Sequence, residues 1–148
     1  MPKFERKTDV DAPIEDVWAM LTNANHWPEW FPGIDSVQSV SAMEKDGTFE
    51  WSGDGRQGTG EIIKFQPEKT LKIVTQVGKD KDSHEFKLKA TGGFLGMGKD
   101  ECEVEYTLDT LMGGGIITNF VAGGNPKDAV RVKKAMHNFR RVVEGRNK

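Results

Sequence analysis

The chain has 148 residues, enough to enclose a core of its own, and 30% of them are charged against 36% hydrophobic. A formal net charge of −2 excludes the broad basic field that holds nucleic acid or an anionic membrane surface. Cys102 is the only cysteine, which excludes an internal disulfide and a cysteine-based zinc site and suits a reducing compartment.

The opening "MPKFERKTDVDAP" is charged from the start and has no apolar signal core, so a cytoplasmic protein is expected. Within it Phe4, Arg6, Thr8 and Val10 share one face of a period-two segment, which predicts a strand over 3–10. "DAPIEDVWAMLT" then predicts a short helix ending near Thr22. Asp11 or Ala12 would cap it and Pro13 would take the first turn, where a missing N–H costs nothing. Glu15 and Asp16 favour its positive end, and Ile14, Val17, Trp18 and Leu21 form one apolar face at i, i+3, i+4, i+7. In "NANHWPEWFPG" Pro28 and Pro32 prevent a long helix and leave a single broken turn, with Trp27, Trp30 and Phe31 directed inward.

From 34 to 109 the pattern is strand after strand: 35–43, 47–53, 58–66, 70–78, 82–91 and 100–109. The breaks "EKDG", "GDGRQG", "QPEK", "GKDK" and "TGGFLGMGK" carry turn chemistry, and no helical period intervenes, so the strands form an antiparallel meander. The apolar-looking run 110–124, "TLMGGGIITNFVAGG", contains five glycines and is too short to cross a bilayer, so no integral membrane association is expected. Its glycine clusters at 113–115 and 123–124 flank "IITNFVA", which predicts a lid or portal. Asn125 then caps a long helix from Pro126 to about Glu144. Ala129, Val132, Met136, Phe139 and Val143 make one stripe along it, Asp128 and Arg140/Arg141 complement the helix dipole, and Gly145 ends it.

Two glycine-rich stretches imitate nucleotide sites. "GDGRQG" has the spacing of a dinucleotide-binding turn, and "GFLGMGKD" falls one residue short of a phosphate-binding loop. Both chemistries need a helix N-terminus after the glycines. Here "TGEIIKFQP" and "ECEVEYTLD" follow, which read as strands, and Asp100 would repel a phosphate. Both stretches are therefore hairpin turns.

A meander that buries one face needs a cover, and the terminal helix has the one matching stripe. The expected fold is α+β: a seven-stranded antiparallel curved sheet wrapped around a long C-terminal helix, with two short helices after the first strand, as a single domain over 1–148. "VDAPIEDVWAMLTNANHWPEWFPGIDSV", together with the later Gly60, Phe65 and Pro67, resembles the START-like (SRPBCC, helix-grip) superfamily, especially its polyketide cyclase/dehydrase branch. The resemblance covers nearly the whole chain. It implies a hydrophobic cavity between sheet and helix, in a superfamily of lipid and hormone carriers, polyketide cyclases and stress-response proteins.

Alternation selects the inward side chains. Leu71, Ile73, Thr75 and Val77 oppose Lys72, Gln76 and one exception, Val74; His84, Phe86, Leu88 and Ala90 oppose Glu85, Lys87 and Lys89; Cys102, Val104, Tyr106 and Leu108 oppose Glu101, Glu103 and Glu105. A hairpin pairing Val77 with Asp82, and a longer turn pairing Ala90 with Asp100, would set Thr75 opposite His84 and His84 opposite Tyr106. Lys89 would then meet Glu101, and Lys87 would meet Glu103. The polar row Thr75, His84 and Tyr106 on an apolar face suits the orientation of a small ligand; the plainer reading is three groups that satisfy one another and stabilise the sheet.

The candidate ligand-binding residues are Trp30, Trp51, Ile73, Thr75, His84, Phe86, Tyr106, Phe120 and Met136. His84 has a pKa class suited to acid–base work, but no inward carboxylate is evident to pair with it. Trp18 and Cys102 read as core, His26 and His137 as surface, and the basic residues of the last helix as its solvated face. No metal-ligand spacing occurs, and no cofactor is expected. The leading expectation is a carrier of a small hydrophobic or amphipathic molecule, such as a lipid or aromatic polyketide. The alternatives are a cyclase/dehydrase-type enzyme using His84 and Tyr106, and a protein-interaction module. A monomer or weak homodimer is expected, with no nucleic-acid partner.

Overall fold

The computed structural model describes residues 3–31, 34–53, 55–78, 80–92, 100–111 and 126–146. The 93–99 turn, the glycine-rich lid candidate at 113–124, its Phe120 and the Asn125 cap lie outside the described residues.

Strand β1 (Lys3–Val10) leads into α1 (Ile14–Leu21), a 3₁₀ turn (Ala24–His26) and the single-turn α2 (Trp27–Trp30). Six strands follow: β2 (Ser36–Gln38), β3 (Thr48–Gly53), β4 (Arg56–Gln66), β5 (Thr70–Val77), β6 (Asp80–Gly92) and β7 (Asp100–Leu111). The long α3 (Pro126–Arg146) completes the chain. The strands form one seven-stranded sheet in the order β1-β7-β6-β5-β4-β3-β2, antiparallel at every pairing. The meander is thus continuous from β2 to β7, and β1 closes on β7.

Turn chemistry explains the hairpins. Gly53 pairs with Arg56 across a two-residue connection in which Gly55 has φ +76°, so "GDGRQG" is a hairpin that runs directly into β4, with no helix after it. Val77 pairs with Asp80, and Gly78 has φ +59°. This hairpin is tighter than the sequence predicts by two residues. Thr75 therefore faces Asp82, and Ile73 faces His84. The next pairing is displaced by the same amount: Ala90 meets Cys102, Lys89 meets Glu103, Lys87 meets Glu105, and Tyr106 lies opposite Phe86. A shift of two leaves every side chain on its expected face, because the period of a strand is two.

Strands β4, β6 and β7 extend about two residues beyond their expected bounds toward the turns, and three further boundaries differ for local reasons. The predicted strand 35–43 stops at Gln38, because Ser39 takes φ +55° and the chain turns through Asp46 at φ +71° before β3. Pro13 is itself the cap of α1, with extended ψ of 151°, and its carbonyl accepts from the N–H groups of Asp16 and Val17. Gly145 does not end α3, which continues to Arg146.

The core lies between the sheet's inner face and the helices. Val132, Met136, Phe139 and Val143 on α3 are buried, as the stripe predicts, while Lys133, Lys134, Arg140 and Arg141 are exposed. Glu144 near the end of α3 accepts from the backbone N–H of Asp11 at 2.9 Å and from Arg140 Nε at 3.0 Å, tying the helix to the end of β1.

Candidate functional site

The register places the ends of β5 and β7, the starts of β4 and β6 and the turns 53–56 and 77–80 along one margin of the sheet. α3 ends beside Asp11, at the opposite margin, so its N-terminal half lies toward these turns. The polar row sits just inside that margin.

His84 is 0% exposed and central to the row. Its Nε2 lies 3.0 Å from Thr75 Oγ1, and its Nδ1 lies 2.6 Å from Tyr106 Oη. Both contacts are diagonal across the ladder, within reach of long side chains. With a neutral imidazole the three side chains carry three polar hydrogens for these two bonds. In one tautomer Tyr106 donates to His84 and His84 donates to Thr75; in the other the sense reverses. The third hydrogen then sits on Thr75 or on Tyr106, where it serves a further acceptor.

Aromatic rings enclose the row. Phe86 stacks on Tyr106 with centroids 4.6 Å apart and planes 10° from parallel. Phe31 meets His84 edge-on at 4.8 Å. Trp30 meets Phe86 at 5.6 Å and Phe139 of α3 at 4.8 Å, both edge-on. These pairings follow the quadrupole preference of aromatic rings. Trp30 and Phe31 arrive there because α2 lasts one turn. Pro28 occupies its start, and Phe31 turns extended at φ −82°, ψ 106° while its N–H still bonds the Trp27 carbonyl at 2.7 Å.

The buried tryptophans differ in one respect. Trp27 Nε1 donates to the Leu21 carbonyl at 2.9 Å, and Trp51 Nε1 donates to the Thr59 carbonyl at 3.0 Å. Trp30 is 1% exposed, yet its Nε1 has no partner among the described residues. The other two buried orphan oxygens, on Thr91 and Asp109, belong to the outward-facing set of β6 and β7.

The structure thus brings Trp30, Thr75, His84, Phe86 and Tyr106 into one cluster, with Ile73 paired to His84 in the ladder. Met136 is buried on the α3 stripe one turn before Phe139. Trp51 is seated elsewhere: its ring covers Gly58, where a Cβ would come within 2.8 Å of it, and its N–H is already committed. Phe120 lies outside the described residues.

Sequence reasoning assigns Phe31 and Phe139 to the core and passes over Asp82. The expectation of no inward carboxylate is corrected by that residue. Asp82 stands two positions before His84, shares its face, is half-buried and pairs with Thr75 in the ladder. The alternation already applied to His84 contains this signal. Among the described residues no group of three or more His, Cys, Asp or Glu side chains could hold a metal ion. His137 is exposed, and His26 is partly buried beside Glu29. No helix among the described residues is long and apolar enough to cross a membrane.

The comparisons agree with this architecture. No curated protein matches the chain. Among solved structures, a protein from Thermus thermophilus aligns over 99% of this chain and 100% of its own, with TM-score 0.70 at 15% identity. A START superfamily protein from Mycobacterium smegmatis aligns over 97% of this chain and 95% of its own, with TM-score 0.64 at 15% identity. Truncated norcoclaurine synthase from Thalictrum flavum aligns over 95% of this chain and 92% of its own, with TM-score 0.66 at 12% identity. At such identities the likeness is one of fold, the helix-grip α+β fold of START-like proteins. Residues 1–144, the sheet and nearly all of its gripping helix, match the family described as polyketide cyclase/dehydrase and lipid transport, and the chain belongs to that family.

Proposed function

We propose that the protein binds a small hydrophobic or amphipathic molecule between the inner face of the sheet and α3, with the row Thr75–His84–Tyr106 orienting it. The observation that carries this reading is a buried, hydrogen-bonded polar row walled by Phe31, Phe86, Trp30 and Phe139. Apolar walls would supply affinity, about 25 cal/mol per Å² of buried apolar surface before the costs of association. The polar row would supply direction, since a ligand group that matches its donors and acceptors is held and an apolar group in the same place is not.

The test is titration with an environment-sensitive naphthalene sulfonate probe and with molecules extracted from the purified protein and identified by mass spectrometry. Saturable one-site binding is expected. Tyr106→Phe removes an end of the row while keeping the ring, and should weaken binding about fivefold to tenfold. Unchanged affinity in Tyr106→Phe and in His84→Ala would remove the row from the site.

The 2.6 Å contact of Tyr106 Oη with His84 Nδ1 favours a second reading, a cyclase/dehydrase-type enzyme. A phenol bonded to an imidazole can pass its proton to that base as it accepts one from a bound polyketone; in the other tautomer the imidazole donates to the phenol, whose own hydrogen can polarise a ketone oxygen. The half-buried Asp82 lies on the same face two residues from His84 and pairs with Thr75 in the ladder, which adds a carboxylate near the row. A turnover rate that follows a bell-shaped pH profile, lost in Tyr106→Phe, would establish this reading over simple carriage.

A further inference from the structure

We infer that Trp30 is a specificity-determining residue of this site: its indole N–H is the donor reserved for a hydrogen-bond-accepting oxygen of the ligand, a carbonyl, ether or phenolic oxygen attached to an apolar ring system. The inference rests on the ligand-binding reading above and adds the chemistry the ligand must carry.

Burial of an amide-like or indole N–H without a partner is costly, and native proteins avoid it. The chain shows how it avoids that cost elsewhere. Trp27 and Trp51 are buried too, and each spends its N–H on a backbone carbonyl. Trp30 finds no such partner among the described residues, although it stands one helical turn from Trp27 on the same short element. Its ring neighbours among the described residues are Phe31 at 5.2 Å, Phe86 at 5.6 Å and Phe139 at 4.8 Å. Ring edges and faces offer no strong acceptor. Through Phe31 and Phe86 the same rings adjoin His84 and Tyr106, so the orphan donor belongs to the cluster that contains the row. A ligand flat enough to lie among these rings and bearing an oxygen would satisfy Trp30 while burying its own carbon surface. A saturated hydrocarbon chain would not.

The experiment uses two probes of the same shape, fluorene and 9-fluorenone, which differ by one carbonyl. A site without a donor prefers fluorene, because stripping water from the ketone costs free energy that nothing returns. With Trp30 as donor the preference moves toward the ketone. The ratio of the two dissociation constants should therefore change about tenfold between the wild-type protein and Trp30→Phe, which keeps an aromatic ring and removes the N–H. In parallel, the Trp30 indole proton, assigned through its proximity to Phe86 and Phe139, should move downfield in NMR spectra on addition of fluorenone and not of fluorene. This second readout is taken on wild-type protein and stands even where Trp30→Phe fails to fold. A ratio indifferent to Trp30→Phe, or an indole proton that contacts an internal water and ignores both probes, overturns the role of Trp30 and leaves ligand binding intact. Failure of both probes to bind the wild-type protein overturns both.

Discussion

Cys102 has no exposed surface and sits on the inner face of β7, opposite Ala90. Burial pushes its thiol up to about 11 from an ordinary 9.0; a backbone hydrogen bond from Lys89 opposes that rise and the neighbouring Glu103 charge adds to it. A thiol raised in the folded state stabilises the fold fully below the unfolded value, and that contribution is lost as pH climbs from about 9 to about 11. Cys102 should thus resist alkylation at pH 8 in native protein and react fully in urea, and a Cys102→Ala variant should lose less stability between pH 9 and 11 than wild type. Rapid native alkylation would contradict its placement. At this scale the sequence was partly legible. Alternation selects Thr75, His84 and Tyr106, since charges occupy the opposite positions. It could not show that Trp30 keeps an unspent donor while Trp51 does not, because that depends on which carbonyl each indole reaches. Asp82 is legible by the same alternation, although a carboxylate near a hairpin reads first as turn chemistry.

Among the elements, β3 and β4 are joined by more than their ladder. Phe49 lies across Gly60 and Trp51 across Gly58, each ring occupying the place of the missing side chain. A Cβ at Gly60 would come within 2.1 Å of the Phe49 ring, and that ring is braced from behind by Trp27 at 5.0 Å. Gly60→Ala should therefore cost about 1–3 kcal/mol in urea denaturation, by overpacking. The loss should shrink in a Phe49→Leu background, where the ring is gone. Equal losses in both backgrounds would point to backbone effects instead. The element boundaries were legible wherever turn residues and alternation agree, as for β1 and β5. The hairpin registers were not, because the tight 77–80 connection and the longer one predicted from "GKDK" place the same residues on the same faces. The 35–43 segment misled for another reason: its alternation is real, but Ser39 leaves extended geometry before pairing can continue.

Across the whole molecule, α3 is clasped at its far end. Glu144 receives the Asp11 N–H and the Arg140 guanidinium, so one carboxylate spans the last turn of the helix and the junction of β1 with α1. Glu144→Ala should lower stability by about 1–2 kcal/mol, and Glu144→Gln, which retains an acceptor oxygen, by less. Equal stability of all three proteins would make the clasp incidental. The architecture as a whole was legible because only α3 carries a stripe long enough to cover the meander, and no parallel crossover fits the remaining segments. Among the described residues the sheet stays open, with β1 at one border and the three-residue β2 at the other. Along β1, Glu5, Arg6, Lys7 and Asp9 are all exposed. A neighbouring copy that tried to extend the sheet there would have to desolvate a mixed row of charges before gaining a single ladder bond. The β1 border is thus guarded against fibril-like growth.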